Sequence, residues 1–210
     1  MLIIWGRLSS VNVRKAVMTA QQLGIAFERR EAGGVHGVVK TDAFVALNPN
    51  STIPVIQDGD YTLWESNVIV RYLCAKHSRS DLYPASLRAQ FDAERWMDWQ
   101  QTTANPAGRN AFFQLIRTPE AERQSALIEA SCVAMHAVLL RLESHLEGRN
   151  FVATERLSMA DIVLACEVHR WFNLPFDLQH KRPSYPNIER WYAPIAASAA
   201  AKGVLDLPLS

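Results

Sequence analysis

Asn48-Pro49-Asn50-Ser51-Thr52-Ile53-Pro54-Val55-Ile56-Gln57-Asp58-Gly59-Asp60-Tyr61-Thr62-Leu63-Trp64-Glu65-Ser66-Asn67 is the stretch on which the fold turns. Pro54 to Gln57 and Tyr61 to Leu63 are strand-like runs on either side of the tight turn Asp58-Gly59-Asp60, which predicts a β-hairpin. Proline cannot donate to a sheet ladder, so Pro54 at the start of a strand leaves an edge where an extended peptide could add its own hydrogen bonds. An ordinary turn before an edge strand would need the same residues. The hairpin then runs into a helix over Ser66 to His77, with Ser66 as the cap. The neighbouring Glu65 carboxylate suits either a bound ammonium group or the helix dipole.

Upstream, Leu2 to Trp5 is a short buried-strand candidate. Val13, Ala16, Val17 and Ala20 recur at helical spacing, and Gly24 stops that helix. Phe27 to Glu31 reads as a second strand, followed by the glycine-rich loop Gly33 to Gly37, expected to be mobile, and a short helix over Ala43 to Leu47. The order is βαβαββα, which suggests a thioredoxin-like sheet. Downstream of Asp81 the pattern is helical throughout: Phe91 to Ile116 with a kink at Asn105-Pro106, Ala121 to Leu146, Ser158 to Phe172, and Ile188 to Ala199. Asn173 to Pro186 reads as an irregular connection, and the alanine-rich stretch Ala196 to Ala201 as a helix end prone to fray. The fold class is therefore an α/β thioredoxin-like N-terminal domain, residues 1–80, joined by a linker, 81–88, to an all-α C-terminal domain, 89–210.

At 210 residues and 49% hydrophobic, the chain can bury a substantial core. Its 22 basic and 21 acidic residues are interspersed, which offers nucleic acid or an anionic membrane little to hold and suits a small ligand better. The apolar run Leu2 to Trp5 is too short for a signal-peptide core, and no apolar stretch approaches the length of a membrane span, so the expectation is a cytoplasmic protein. Cys74, Cys132 and Cys166 are far apart with no C-x-x-C pair, which predicts reduced thiols. No cluster suggests a metal.

Two turns precede helices. Gly6-Arg7-Leu8-Ser9-Ser10-Val11-Asn12 joins the first strand to the first helix, so its hydroxyls and N–H groups stand where the helix dipole welcomes an anion, although serine is also a common plain cap. Leu157-Ser158-Met159-Ala160-Asp161-Ile162 has Ser at N-cap, Asp at N3 and Leu157 with Ile162 as a hydrophobic staple; this is a helix-nucleating device with no catalytic role.

Taken together, Trp5-Gly6-Arg7, the Ser-x-Asn-Val-x-Lys start of Ser10 to Lys15, Asn48-Pro49-Asn50 ahead of Pro54, and Trp64-Glu65-Ser66-Asn67 resemble the cytosolic glutathione transferases, in particular bacterial theta-, phi- and nu-like members, over essentially the whole chain. The resemblance implies that glutathione is the co-substrate, with no metal, and that its thiol is activated as thiolate by Ser10, four residues before Arg14. Ser9 adjoins it, and Asn12 matches an asparagine that assists thiol binding in nu-like enzymes. It further implies that Thr52, Ile53 and Pro54, a cis-proline in the family, pair with the peptide backbone. Glu65 and Ser66 would hold the γ-glutamyl end, and Lys40 would lie near the glycine carboxylate. Ser51 stands where the family often has glycine. The absence of cysteine from the first turn argues against members that form a mixed disulfide. Over the helical domain, Trp96, Trp99, Phe112, Phe113, Trp171 and Phe172 are candidates for an apolar electrophile wall, with Arg109 a polar contact. A homodimer is implied. The alternatives from other classes are a glutathione-dependent disulfide or peroxide reductase and a non-catalytic glutathione-binding protein.

Overall fold

Strand β1 (Leu2–Trp5) lies between β2 (Phe27–Arg30), which runs parallel to it, and β3 (Val55–Asp58), which runs antiparallel; β4 (Tyr61–Trp64) completes the order β2-β1-β3-β4. The sheet is part of a computed structural model that describes residues 1–78, 81–176 and 182–210. The expected domain boundary at residue 80, and part of the expected connection from Asn173 to Pro186, lie outside the described residues. The hairpin closes through Gly59-Asp60, with Asp58 opposite Tyr61.

Helix α1 (Val11–Gln22) turns Val13, Ala16, Val17 and Ala20 into the core. It ends in a Schellman motif, in which Gly24 N donates to Gln21 O and Ile25 N to Ala20 O. Helix α2 (Asp42–Leu47) is capped by Thr41, and α3 (Ser66–His77) packs on α1. Ser66 is not the cap expected of it. The N-cap position falls to Glu65, whose backbone takes φ +73° at the corner where β4 bends into the helix.

Helix α4 (Leu87–Trp99) and α5 (Asn105–Phe112) are joined by a wide turn over Gln100–Ala104, and a second wide turn, Phe113–Arg117, follows. The distortion thus falls before Asn105-Pro106 rather than at it. Pro106 has no N–H for the carbonyl four residues earlier, its ring crowds that carbonyl, and the wider turn relieves both. Helix α6 (Ser125–His145) begins after a short 3-10 turn, Glu120–Glu122, that follows Pro119. Contrary to the sequence reading, α6 is long and apolar enough by length and composition to cross a bilayer. It packs instead against α5 and the helix Pro186–Ala196, with Ile128, Met135, Val138, Leu139 and Leu142 buried.

Helix α7 (Met159–Phe172) is almost entirely buried, and α8 (Pro186–Ala196) covers it. The alanine-rich end does not fray: Ala199–Ala201 forms a 3-10 turn against α1, with Ala200 and Ala201 buried. One continuous core runs through both halves, and α1 touches α3 and α7 at once, so the loop that precedes α1 is held between sheet and helices.

Candidate active site

The β1–α1 turn is built around Gly6. Its φ is +143°, and a Cβ there would come within 2.4 Å of Val13 Cγ2 and 3.2 Å of Ile53 Cβ, so any side chain would push the turn off the helix. Arg14, buried one turn into α1, donates from Nε to Leu8 O (2.7 Å) and from Nη2 to Pro208 O (2.8 Å), fixing the loop against the chain's C-terminal segment.

Ser10 is the N-cap of α1, with φ −90° and ψ 122°, yet its hydroxyl makes no capping hydrogen bond. Serine usually occupies this place to satisfy a first-turn N–H; here the hydroxyl faces a cavity instead. Ser9 is engaged, since its Oγ accepts from Arg7 Nη1 at 2.7 Å. Asn12 also lines the cavity, and its Oδ1 is buried without a hydrogen-bond partner among the described residues.

The cavity has a volume of about 490 Å³. From the sheet side it is lined by Arg7, Ser9, Ser10, Val11 and Asn12. From the helical side come Asn105, Arg109, Phe112, Phe113, Arg117 and Arg170. Arg109 lies over the Phe113 ring at 5.5 Å, while Arg117 and Arg170 lie over Phe112 at 5.6 and 5.5 Å. Burial, with the charge of Arg117 beside it, holds the Arg7 guanidinium below its usual pKa. Arg170 is neutralised by a short ion pair with buried Glu167. Sequence reasoning missed Arg117, Arg170 and Asn105. For Arg117 a signal existed in Arg109, Phe112, Phe113 and Arg117 at i, i+3, i+4 and i+8, one face of a helix.

The aromatic candidates divide. Phe112 and Phe113 line the cavity with Arg109. Trp96 instead packs on Trp99 (5.0 Å) and His145 (4.5 Å), Trp171 on Phe176 (5.0 Å) and the Gly108 backbone, and Phe172 on Tyr192 (5.7 Å). These four serve the core between helices.

The second part of the site is the edge before β3. The Ile53–Pro54 bond is cis, and the ladder begins at Val55. The backbone N–H and C=O of Ile53 make no hydrogen bond among the described residues. Asn48 Nδ2 donates to Thr52 O (2.9 Å), shaping the approach, and Ser51 takes φ +54°, the left-handed conformation that glycine would adopt more freely. Glu65 is exposed and Ser66 buried at the β4–α3 corner. Lys40 stands on an exposed turn ahead of α2, apart from the cavity lining.

Below the loop, Lys15 Nζ is fully buried and donates to Gln100 Oε1 (2.7 Å) and Asn67 Oδ1 (3.1 Å). Gln100 Nε2 in turn donates to Glu167 Oε2 (2.8 Å), and Asn67 Nδ2 to Met97 O (2.7 Å). Burial lowers the Lys15 pKa to about 8, against the pull of Glu167. The network ties α1 to α3, α4 and α7. Burial also pushes the Cys74 and Cys166 thiols up to about 12, which leaves them unreactive.

A βαβαββα arrangement with an unpaired backbone edge at Ile53, a hydroxyl-bearing helix N-terminus at a cavity, and a helical second half places the protein in the thioredoxin-fold class, with an edge open to an extended peptide. Comparison with known proteins agrees. Residues 5–81 match the glutathione S-transferase N-terminal domain family and residues 104–199 the glutathione S-transferase C-terminal domain family. The chain is 34% identical to the glutathione S-transferase GstB of Escherichia coli, covering 100% of both chains, and 30% identical to glutathione S-transferase D6 of Drosophila melanogaster over 90% of this chain and 84% of that one. Its structure resembles that of the theta class glutathione S-transferase from Xanthomonas axonopodis pv. citri with glutathione bound, at a TM-score of 0.94 and 38% identity over 100% of this chain and 99% of that one. The chain belongs to the glutathione S-transferase family; it is a transferase with glutathione as co-substrate.

Proposed function

We propose that the Ser10 hydroxyl donates a hydrogen bond to the sulfur of bound glutathione and holds it as the thiolate, which attacks a small electrophile seated between Phe112, Phe113 and the first turn. The observation that carries this reading is the unspent Ser10 hydroxyl at the N-terminus of α1, inside the cavity. A free thiol has a pKa near 8.5, so bringing it to about 6.5 takes roughly 2.7 kcal/mol. One hydrogen bond to a charged group supplies about 1.5–3 kcal/mol, and a helix N-terminus about 0.3–1 kcal/mol more. No metal or general base is needed. Asn12, with its buried unmatched oxygen, is the second candidate to touch the sulfur; Ser9 is the third.

For the rest of the peptide, the open backbone of Ile53, beside Thr52 and Pro54, supports pairing with the cysteinyl unit. Glu65 in its left-handed conformation supports a role for itself and Ser66 at the γ-glutamyl group, because such backbone is held only where surrounding structure over-determines it. Lys40 is assigned to the glycine carboxylate by family position alone.

We read the protein as a cytoplasmic homodimer, with domains at 1–80 and 89–210. Tyr61, Trp64, Val68, Leu87 and Phe91, exposed on β4, α3 and α4, support an isologous contact there, with Phe91 60% exposed. Buried reduced thiols fit a reducing compartment. Sedimentation showing only a 23.6 kDa species at micromolar concentration would overturn the dimer.

The test of function is a panel of electrophiles, disulfides and peroxides assayed with glutathione. Conjugation of electrophiles is expected. Turnover of disulfides or peroxides alone would move the protein to the reductase reading, and glutathione binding without turnover to a binding role.

A further inference from the structure

We infer that the electrophile this enzyme prefers carries an anionic group, a carboxylate or its like, held by Arg109 and Arg117 at the helical end of the cavity. The inference rests on the reading of this cavity as the place where the glutathione thiolate meets its acceptor. The chain as a whole is nearly balanced in charge at +1, yet among the described residues the cavity lining holds four arginines and no carboxylate. Arg170 is neutralised by Glu167. Arg7, Arg109 and Arg117 form no ion pair among the described residues.

Burial, with the like charge of Arg117 beside it, lowers the Arg7 pKa, and an anion between these groups relieves that repulsion where a neutral guest does not. Stacking of Arg109 over Phe113 and of Arg117 over Phe112 keeps both guanidiniums at the cavity wall, beside the rings that would receive an apolar body. Exposed arginines in open solvent would be worth little. Arg109 and Arg117 are both exposed, but they flank one concave site together with Phe112 and Phe113, so their charges add at the place where a guest would sit. Arg7, on the sheet side and packed against Gly34, sits closer to the peptide's own binding edge, so the acceptor's anion falls to the two arginines of the helical side.

An aryl chloride with a para carboxylate satisfies both halves of the site. The thiolate sulfur forms a C–S bond at the chlorine-bearing carbon, the C–Cl bond breaks, and chloride leaves with the electron pair. Meanwhile the carboxylate stays on the arginines and the ring lies against Phe112 and Phe113.

The experiment compares para-chloro-meta-nitrobenzoate with the isosteric benzamide, each rate divided by its uncatalysed rate, in wild type, Arg109→Gln, Arg117→Gln and the double variant. It also compares calorimetric binding of the two glutathione conjugates. A charge-assisted contact predicts a loss of about tenfold to one hundredfold in kcat/KM for the benzoate in each single variant, at least about tenfold beyond any loss for the benzamide. Wild type should bind the carboxylate conjugate at least about tenfold more tightly than the amide, and the margin should shrink with salt. Equal binding of the two conjugates, or equal losses for the two electrophiles, would overturn the inference. Conjugate binding does not depend on thiolate formation, so failure of the conjugating role proposed for this cavity would show as no turnover of either electrophile with the binding margin intact.

Discussion

Replacing Asp161 by alanine should destabilise the protein far more than loss of a helix cap. The carboxylate is fully buried and accepts four hydrogen bonds: Oδ2 from Ser158 N and Ser158 Oγ, both at 2.8 Å, and Oδ1 from Val152 N (2.8 Å) and Trp191 Nε1 (2.9 Å). It therefore joins the start of α7 to the preceding loop and to α8. Ser158 can rotate its hydroxyl, but the other three donors cannot move without the backbone or the indole. Leaving a buried donor unsatisfied costs about 1–3 kcal/mol. The cap alone is worth about 1 kcal/mol. With partial relaxation, Asp161→Ala should cost about 3–5 kcal/mol, a large part of the 5–15 kcal/mol typical of a domain. Asp161→Asn keeps one acceptor and points an NH₂ at the Ser158 N–H, so it should fall between the two. Urea unfolding followed by circular dichroism gives the values at constant slope, and the KM for glutathione of the folded fraction should not move. An alanine variant within about 1 kcal/mol of wild type would refute the argument from four buried bonds.

Glu65→Ala should raise the KM for glutathione by about tenfold or more while leaving that of the electrophile in place, since the lost contact is to the peptide's amino group; equal weakening of both would mean Glu65 serves the fold. Lys15 gives a signed pH dependence. Below about pH 8 it is charged in both states and the cost of burial is carried in full. Between about 8 and its ordinary value of 10.5 the folded state sheds the proton first, the unfolded chain binds more protons, and the lysine's contribution to stability rises with pH. Unfolding of wild type and Lys15→Met across that window should show their difference growing in favour of wild type, with a ceiling of about 3 kcal/mol at 1.36 per unit. A difference flat in pH would contradict the buried charge.

The sheet was legible because its signals are local. Asp58-Gly59-Asp60 closes the hairpin as the turn residues require, and Gly24 ends α1 where a left-handed residue was expected. The Ser158 and Asp161 pair likewise announced α7, though not that Asp161 reaches Val152 and Trp191, contacts across loops that no spacing reveals. Lys15 and Asn67 were visible only as parts of family motifs; their meeting, 52 positions apart, depends on how α1 packs on α3. Which aromatic residues line the cavity likewise depends on contacts that spacing does not reveal. Helical spacing marks Trp96, Trp99, Phe112 and Phe113 alike as apolar, whereas in the structure Phe112 and Phe113 line the cavity and Trp96 packs on Trp99 and His145. Glu65 as N-cap was illegible, because a glutamate at φ +73° runs against its own backbone preference.

The central claim is that Ser10 holds the glutathione sulfur as thiolate, and the ultraviolet thiolate absorbance of bound glutathione, titrated against pH, tests it most directly. Wild type is compared with Ser10→Ala, Ser9→Ala and Asn12→Ala. The hydroxyl contributes about 1.5–3 kcal/mol to the charged form, so Ser10→Ala should move the curve up by about one to two pH units at little change in glutathione affinity. Activity should fall at neutral pH and recover in part as pH rises. Ser9→Ala should leave the curve in place, since its oxygen is already held by Arg7. An unshifted curve for Ser10→Ala, with a shifted one for Ser9→Ala or Asn12→Ala, would contradict the account and transfer the role to that residue.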